Sequence, residues 1–371
     1  MAIFFFLAGA AFICYMFFGY PLLLFVLAKL RPKPIRREPF EPTVSVLIPA
    51  RNGDRYLQAK LESIFALNYP REKMQVIVVS DGSTDRTAEI ARSFAGVELL
   101  ESNDNRGKGH ALNKGMAIAR NEVLFLTDVR QPVDRECLRN LVAPLSDPSI
   151  GVVSGELVIL RGERQEHMQI GMYVRYEEWL RKQISKVGSV PGATGAVYVI
   201  RRKAATQLPH DILLDDVYLP IHAYFQGYRS ILEGSAIAYD YPTLIGAEFK
   251  RKTRTLAGIF QIVSFFPGLL DPRRDIFIHF LSHKLGRLLL PYAFLAVALA
   301  TFGLPDPWRL LAAVGQVAFY GLALLDGALP EGFPLKRLSS LIRTFVMLLA
   351  AAVAATSILF RPARELWTER R

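Results

Sequence analysis

The chain is 371 residues long and 51% hydrophobic, with a formal net charge of +11 and a mean hydropathy of +0.23. A chain this apolar is no ordinary soluble domain, so part of it belongs in lipid. The basic excess does not point to nucleic acid. It gathers beside apolar segments, at residues 29–37 and 250–254 and at Arg273, Arg274, Lys284 and Arg287, where anionic headgroups account for it, and there is no zinc-finger spacing or ribonucleoprotein-type aromatic motif.

No charged side chain occurs between residues 2 and 28. A hydrocarbon core of about 30 Å needs roughly 20 residues of helix, so this stretch predicts a transmembrane anchor. It has no basic leader and exceeds the apolar core of a cleaved signal peptide. Lys29, Arg31, Lys33, Arg36 and Arg37 follow, most of them in a proline-spaced linker over 31–42. By the positive-inside rule they set the next block in the cytoplasm, at the inner face of the cell membrane.

Apolar runs then alternate with helical patterns: strand 43–48, helix near 55–65, strand 75–79, helix 84–94, strand 97–100, helix 109–119 and strand 122–126. Strands spaced by helices of this length build βαβ units, hence an α/β fold with a parallel sheet and right-handed crossovers. Beyond residue 134 the pattern loosens into a strand-like 151–160, a helix near 164–186, a strand 197–201 and a helix opening near Asp215; this half is expected to hold the acceptor. Three more apolar segments follow, at 288–305, 310–325 and 344–360, the middle one short. Four crossings place the carboxyl terminus outside, whereas Arg361, Arg364, Arg370 and Arg371 favour the inside; the two cues oppose each other. Cys14 lies in the first apolar segment and Cys137 in the polar block, so they do not pair, as suits a reducing compartment.

Three acidic stations stand out: Asp81 in Ser80-Asp81-Gly82-Ser83, Asp128 in Thr127-Asp128-Val129-Arg130, and the pair Asp215-Asp216. The first two each end a β-branched run, where side chains at strand C-termini meet ligand in an open α/β sheet.

Val46-Leu47-Ile48-Pro49-Ala50-Arg51-Asn52, then Ser80 to Asp85, then Asn105-Arg106-Gly107-Lys108-Gly109 through Asn113, together resemble the family 2 glycosyltransferases of GT-A fold, over about residues 43–260. The one-plus-three arrangement of apolar segments is similar to that family's chitin-oligosaccharide and hyaluronan synthases. The resemblance implies a cytoplasmic GT-A domain, Rossmann-like with a mostly parallel sheet, plus one N-terminal and about three C-terminal transmembrane helices. The chain would then divide into an anchor (1–30), the basic linker (31–42), the glycosyltransferase domain (43–247), an interfacial amphipathic segment (248–285), the C-terminal transmembrane helices (286–360) and a basic tail (361–371).

The resemblance assigns Pro49, Ala50, Arg51, Asp81, Ser83 and Lys108 to the nucleotide of the donor, although Asp81 and its neighbours are also good helix caps. Asp128 matches the first carboxylate of the family's Asp-x-Asp metal motif, which suits Mg²⁺ or Mn²⁺ and needs no organic cofactor. Arg130 replaces the second carboxylate. Either Asp128 holds metal with help from the phosphates, or Arg130 itself neutralises the diphosphate with its planar fork. Asp215 and Asp216 match the paired acidic motif, with Asp216 as the base of an inverting transfer. Gly192, Thr194 and Gly195 resemble the small-residue loop that lines the acceptor. Arg251 and Arg254 occupy the place of the family's Gln-x-x-Arg-Trp motif, with Thr255 where the tryptophan stands, so the stacking platform for a growing polysaccharide is missing.

These residues describe an inverting glycosyltransferase that moves a sugar from a nucleotide-sugar, a UDP-sugar for preference, to a lipid-linked or saccharide acceptor among membrane lipids. A processive polysaccharide synthase and a catalytically silent sugar-nucleotide-binding scaffold are the alternatives.

Overall fold

The computed structural model describes residues 1–160, 165–241, 245–330 and 332–360; the expected basic tail lies outside them. The chain forms two compact units, one from Arg31–Leu160 with Arg181–Tyr241, the other from Met1–Leu30, Arg161–Leu180 and Pro242–Arg371.

The first unit is built on a seven-stranded sheet: β1 Val44–Ala50, β2 Met74–Asp81, β3 Val97–Ser102, β4 Val123–Leu126, β5 Ile150–Ile159, β6 Tyr198–Arg201 and β7 Arg229–Asp240, in the order β3-β2-β1-β4-β6-β5-β7. Strands β1 to β4 pair in parallel, as their βαβ spacing predicts, and β5 pairs with β7 in parallel. Only β6 runs against its neighbours β4 and β5. Helices cover both faces, which is why β1 and β2 read as near-continuous apolar runs. Val46 and Ile48 of β1 pack with Leu57, Leu61 and Ile64 of helix Asp54–Phe65, while Leu47 faces Ala111 and Leu112 of helix Lys108–Ile118 on the other side. Each such aliphatic side chain contributes roughly 1.5–3 kcal/mol through burial.

Register decides where ligand can bind. Ala50 of β1 lies beside Ser80 of β2, and Leu47 beside Leu126 of β4, so the residues after β1, β2 and β4 emerge at one edge. Because β6 is antiparallel, Tyr198 at its start pairs with Leu126 at the end of β4. The loop before β6 therefore arrives at that same edge. The expected helix 84–94 begins later, at Thr87, since the Asp85 carboxylate accepts from the Thr87 amide at 3.0 Å and holds residues 83–86 as a turn. Strand β7 and the short helix Cys137–Val142 carry no clear sequence pattern; β7 is interrupted by Gly234-Ser235, where its pairing with β5 shifts register.

Among the described residues the second unit holds four helices long and apolar enough to cross a membrane: Ala2–Leu30, Phe277–Thr301, Trp308–Ala328 and Lys336–Leu359. Their outward faces expose large apolar side chains such as Leu295, Leu299, Leu310, Val317 and Leu324. The last two run longer than the apolar segments 310–325 and 344–360, because Asp326 and the polar start of the fourth helix satisfy each other. The Asp326 carboxylate accepts from the hydroxyls of Ser339 (2.7 Å) and Ser340 (2.8 Å) and pairs with Arg343 (3.1 Å).

Candidate active site

Five loops meet at the C-terminal edge of β1 to β4. The first two are knitted together: the Asn52 amide donates to Ser83 Oγ at 3.2 Å, Asn52 Oδ1 accepts from the Thr84 amide at 2.9 Å, and the Gly53 amide donates to Thr87 Oγ1 at 2.8 Å. Pro49, Ala50 and Arg51 lead into this joint from β1. Gly82 turns the chain with φ of +64°, and a Cβ there would lie 2.7 Å from the Asn105 backbone nitrogen, so only glycine fits.

Asp81 is buried, and its two oxygens accept from the backbone amides of Arg106 (3.2 Å) and Gly107 (2.7 Å). With the Asn105 amide turned to satisfy both neighbours, it donates to Asp81 Oδ2 and accepts from Arg51 Nη1. Asp81 thus shapes the loop that delivers Lys108.

Lys108 opens helix Lys108–Ile118, and its ammonium lies 2.9 Å from Asp128 Oδ1 and 3.1 Å from Asp215 Oδ2. Residues far apart in sequence therefore form one ionic cluster. Burial works against the Lys108 charge, but the carboxylates of Asp128, Asp215 and Asp216 outweigh it and hold the amine above its ordinary range. Burial pushes Asp215 from 3.8 up to about 6, against the pull of Lys108 and with the push of Asp216. Asp128 is the more accessible member, its side chain 37% exposed.

Asp216 follows Asp215 in the first turn of helix Asp215–Phe225, where the helix dipole favours carboxylates. Its backbone oxygen accepts from the Ala193 amide at 2.6 Å, and a Cβ on Gly195 would lie 3.0 Å from Asp216 Oδ2. The loop 192–195 is thus laid directly against the Asp216 carboxylate. Thr194 anchors it: its amide donates to Ser154 Oγ at 2.8 Å, its hydroxyl to the Gly155 carbonyl at 2.9 Å.

Arg130 is held by the end of β7. Its Nε lies 2.9 Å from Asp240 Oδ1 at the end of β7, and its Nη2 donates to the Tyr241 carbonyl at 3.0 Å, so the fork is engaged by protein groups. Arg251 and Arg254 belong to helix Ile245–Phe265 of the other unit, where Arg251 pairs with buried Glu248 at 2.7 Å. Thr255 Oγ1 donates back to the Arg251 carbonyl at 2.9 Å.

Three site residues escape sequence reasoning. Tyr198 of β6 is fully buried, its hydroxyl has no hydrogen-bond partner among the described residues, and burial together with the charges of Asp215, Asp216 and Asp128 raises its pKa well above the ordinary value. Arg181 donates to Thr194 Oγ1 at 2.7 Å and to Ser154 Oγ at 2.9 Å, bracing the loop. Asp240 holds Arg130. All three depend on β5, β6 and β7 lying side by side, which no local pattern announces.

Among the described residues no group of three or more His, Cys, Asp or Glu side chains is placed to hold a metal ion. What the cluster offers is the accessible carboxylate of Asp128, already shared with Lys108. That donor set fits a hard divalent cation bound by one carboxylate, with substrate phosphates and water completing the shell.

A mostly parallel sheet gathering carboxylates and a lysine at its C-terminal edge, joined in one chain to four long apolar helices, defines a GT-A glycosyltransferase with transmembrane segments. Residues 45–208 match the profile of glycosyl transferase family 2, and residues 130–359 that of glycosyl transferase family group 2. The chain belongs to the family 2 glycosyltransferases. It is 26% identical over 270 residues to a probable glycosyltransferase, YdaM, of Bacillus subtilis, covering 66% of this chain and 63% of that protein. It is 24% identical over 249 residues to the poly-beta-1,6-N-acetyl-D-glucosamine synthase of Staphylococcus aureus, covering 63% and 59%. The chain thus spans about three fifths of the length of these relatives. Mannosyltransferase PcManGT from Pyrobaculum calidifontis, solved with GDP-Man and Mn²⁺, superposes with a TM-score of 0.72 at 24% identity, over 99% of this chain and 100% of that one, which is a likeness of fold.

Proposed function

We propose that this protein is a membrane-embedded, inverting glycosyltransferase that moves a sugar from a nucleotide-sugar to a lipid-linked or saccharide acceptor. The observation that carries this reading is the pairing of the Lys108–Asp128–Asp215 ionic cluster with an Asp216 carboxylate set against the Gly195 loop. The first is suited to a donor diphosphate, the second to an acceptor hydroxyl.

Asp216 takes the proton of the acceptor hydroxyl as that oxygen bonds the anomeric carbon. The bond from this carbon to the phosphate oxygen breaks, and its electron pair leaves with the nucleoside diphosphate. Asp216 is the better placed of the two acids, since Asp215 is committed to Lys108. Lys108 supplies a permanent positive charge where the leaving diphosphate gathers negative charge. A divalent cation such as Mg²⁺ or Mn²⁺, held by Asp128 and the diphosphate, would add to that neutralisation; the PcManGT structure with Mn²⁺ supports its use here. Pro49, Ala50, Arg51, Asp81 and Ser83 frame the nucleotide, Arg130 borders the phosphates, and Arg251 and Arg254 serve headgroup phosphates. The five basic residues from Lys29 to Arg37 support a cytoplasmic catalytic unit, where nucleotide-sugars are made.

The likeness to poly-beta-1,6-N-acetyl-D-glucosamine synthase favours a second reading, repeated addition to one saccharide chain. Thr255, bonded to its own helix, offers no stacking platform, which supports single transfer. Purified protein in lipid, offered a panel of nucleotide-sugars, should release nucleoside diphosphate from one of them, and sizing the product separates one addition from many. No release from any donor, with nucleotide still bound, would leave only a binding scaffold.

A further inference from the structure

Lys60 lies in the middle of helix Asp54–Phe65 with no exposed surface. Leu57, Leu61 and Ile64 share its buried face, so the hydrophobic pattern calls for an apolar residue at 60. A lysine is almost never fully buried unless it is paired, and keeping one there costs stability that an apolar side chain of similar length would not.

The amine has two partners. Nζ donates to Thr127 Oγ1 and to the Gln131 carbonyl oxygen, each at 2.6 Å. These acceptors stand at the two ends of the turn Thr127-Asp128-Val129-Arg130-Gln131, which leaves β4 and presents Asp128 to Lys108. The Thr127 hydroxyl donates onward to the Ala196 carbonyl at 2.6 Å, immediately after Gly195. One helical turn later, Ser63 Oγ accepts from the Val133 amide at 3.2 Å and fastens the exit of the turn. Burial pushes the Lys60 amine down to about 7, and both acceptors present take an N–H from it.

We propose that Lys60 is a positioning residue of the transfer site, its buried amine fixing the turn that carries Asp128 and, through the Thr127 hydroxyl, the spacing between that turn and the Gly195 loop against Asp216. The inference rests on the glycosyl transfer proposed above and deepens it. Donor and acceptor sides are then held in register by one amine and one hydroxyl, and a misplacement near 1 Å can cost about 10²-fold in rate.

The test uses the full chain in lipid with the nucleotide-sugar from which wild type releases nucleoside diphosphate. Lys60→Met keeps the length of the side chain and removes its polar head, so it should melt no lower than wild type. Its kcat should fall about 10- to 10²-fold, donor KM should rise, and more of the donor should be hydrolysed by water than transferred. Thr127→Val should reproduce the defect, Thr127→Ser should rescue it, and Lys60→Met combined with Thr127→Val should be no worse than the stronger single change. Wild-type kcat, KM and hydrolysis-to-transfer ratio in Lys60→Met overturn the proposal. Should that variant not fold, equal turnover of Thr127→Val and Thr127→Ser overturns it instead. If wild type turns over no nucleotide-sugar, the transferase reading fails by itself. Lys60 is then judged by hydrogen exchange of amides 128–131 and 193–196 in Lys60→Met, where unchanged protection refutes the positioning role.

Discussion

Asp215 and Asp216 are neighbours in sequence with opposite surroundings, and this difference assigns their roles. Asp215 is buried on Lys108, while Asp216 is partly open beside Gly195. Asp216→Asn should therefore lower kcat by about 10² to 10⁴ and leave donor affinity, measured by calorimetry, near wild type. Substantial turnover in that variant would move the base elsewhere. Asp215 also sets a pH dependence. Asp215 is raised from 3.8 to about 6, so its proton is bound more tightly in the folded protein; the stability it contributes is complete below 3.8 and lost as pH rises through about 6. Activity runs the other way, because the ionised Asp215 carboxylate is what holds Lys108 at the site, and kcat/KM should fall as pH drops below about 6. A flat profile down to pH 5 would contradict it. Arg130→Ala should destabilise the fold by about 1–3 kcal/mol in denaturant titration, since the buried Asp240 carboxylate loses its cation, with the loss tempered by the one-third exposure of Arg130.

Among the elements, β6 does most to make the site. A parallel strand there would send its leading loop to the far edge of the sheet; running antiparallel, it sets residues 192–196 beside Asp128 and Asp216. The closeness of that loop is itself testable. A Cβ at Gly195 lies 3.0 Å from Asp216 Oδ2, so Gly195→Val should displace the carboxylate and cut kcat about 10-fold or more, with a melting temperature within a few degrees of wild type. Undiminished turnover would show that the carboxylate has room to spare. The last two long helices illustrate the same dependence on context: Asp326, a helix-ending charge by composition, is absorbed by Ser339, Ser340 and Arg343 of the next helix.

For the molecule as a whole, the testable question is sidedness. A reporter inserted after Pro39 should read cytoplasmic, because the basic residues between Lys29 and Arg37 resist translocation. An external reading would separate the catalytic unit from its donor and dismiss the proposed transfer.

The sequence by itself determined the elements whose signal is local. Uninterrupted apolar runs announce the long helices, β-branched runs followed by Asp81 and Asp128 announce the parallel strands and their ligand-bearing ends, and the paired Asp215-Asp216 announces an acid site. Periodicity and strand-end chemistry are properties of a few neighbouring residues, so they are legible without a fold. Tertiary structure alone decided what these residues touch. That Lys108 bridges Asp128 and Asp215, that Arg130 turns to Asp240, and that Lys60 reaches Thr127 and Gln131 all follow from the full order β3-β2-β1-β4-β6-β5-β7 and its register, which bring together positions up to 111 residues apart. Lys60 is a lone lysine on the apolar face of its helix, and its meaning depends on which loop the sheet sets against it.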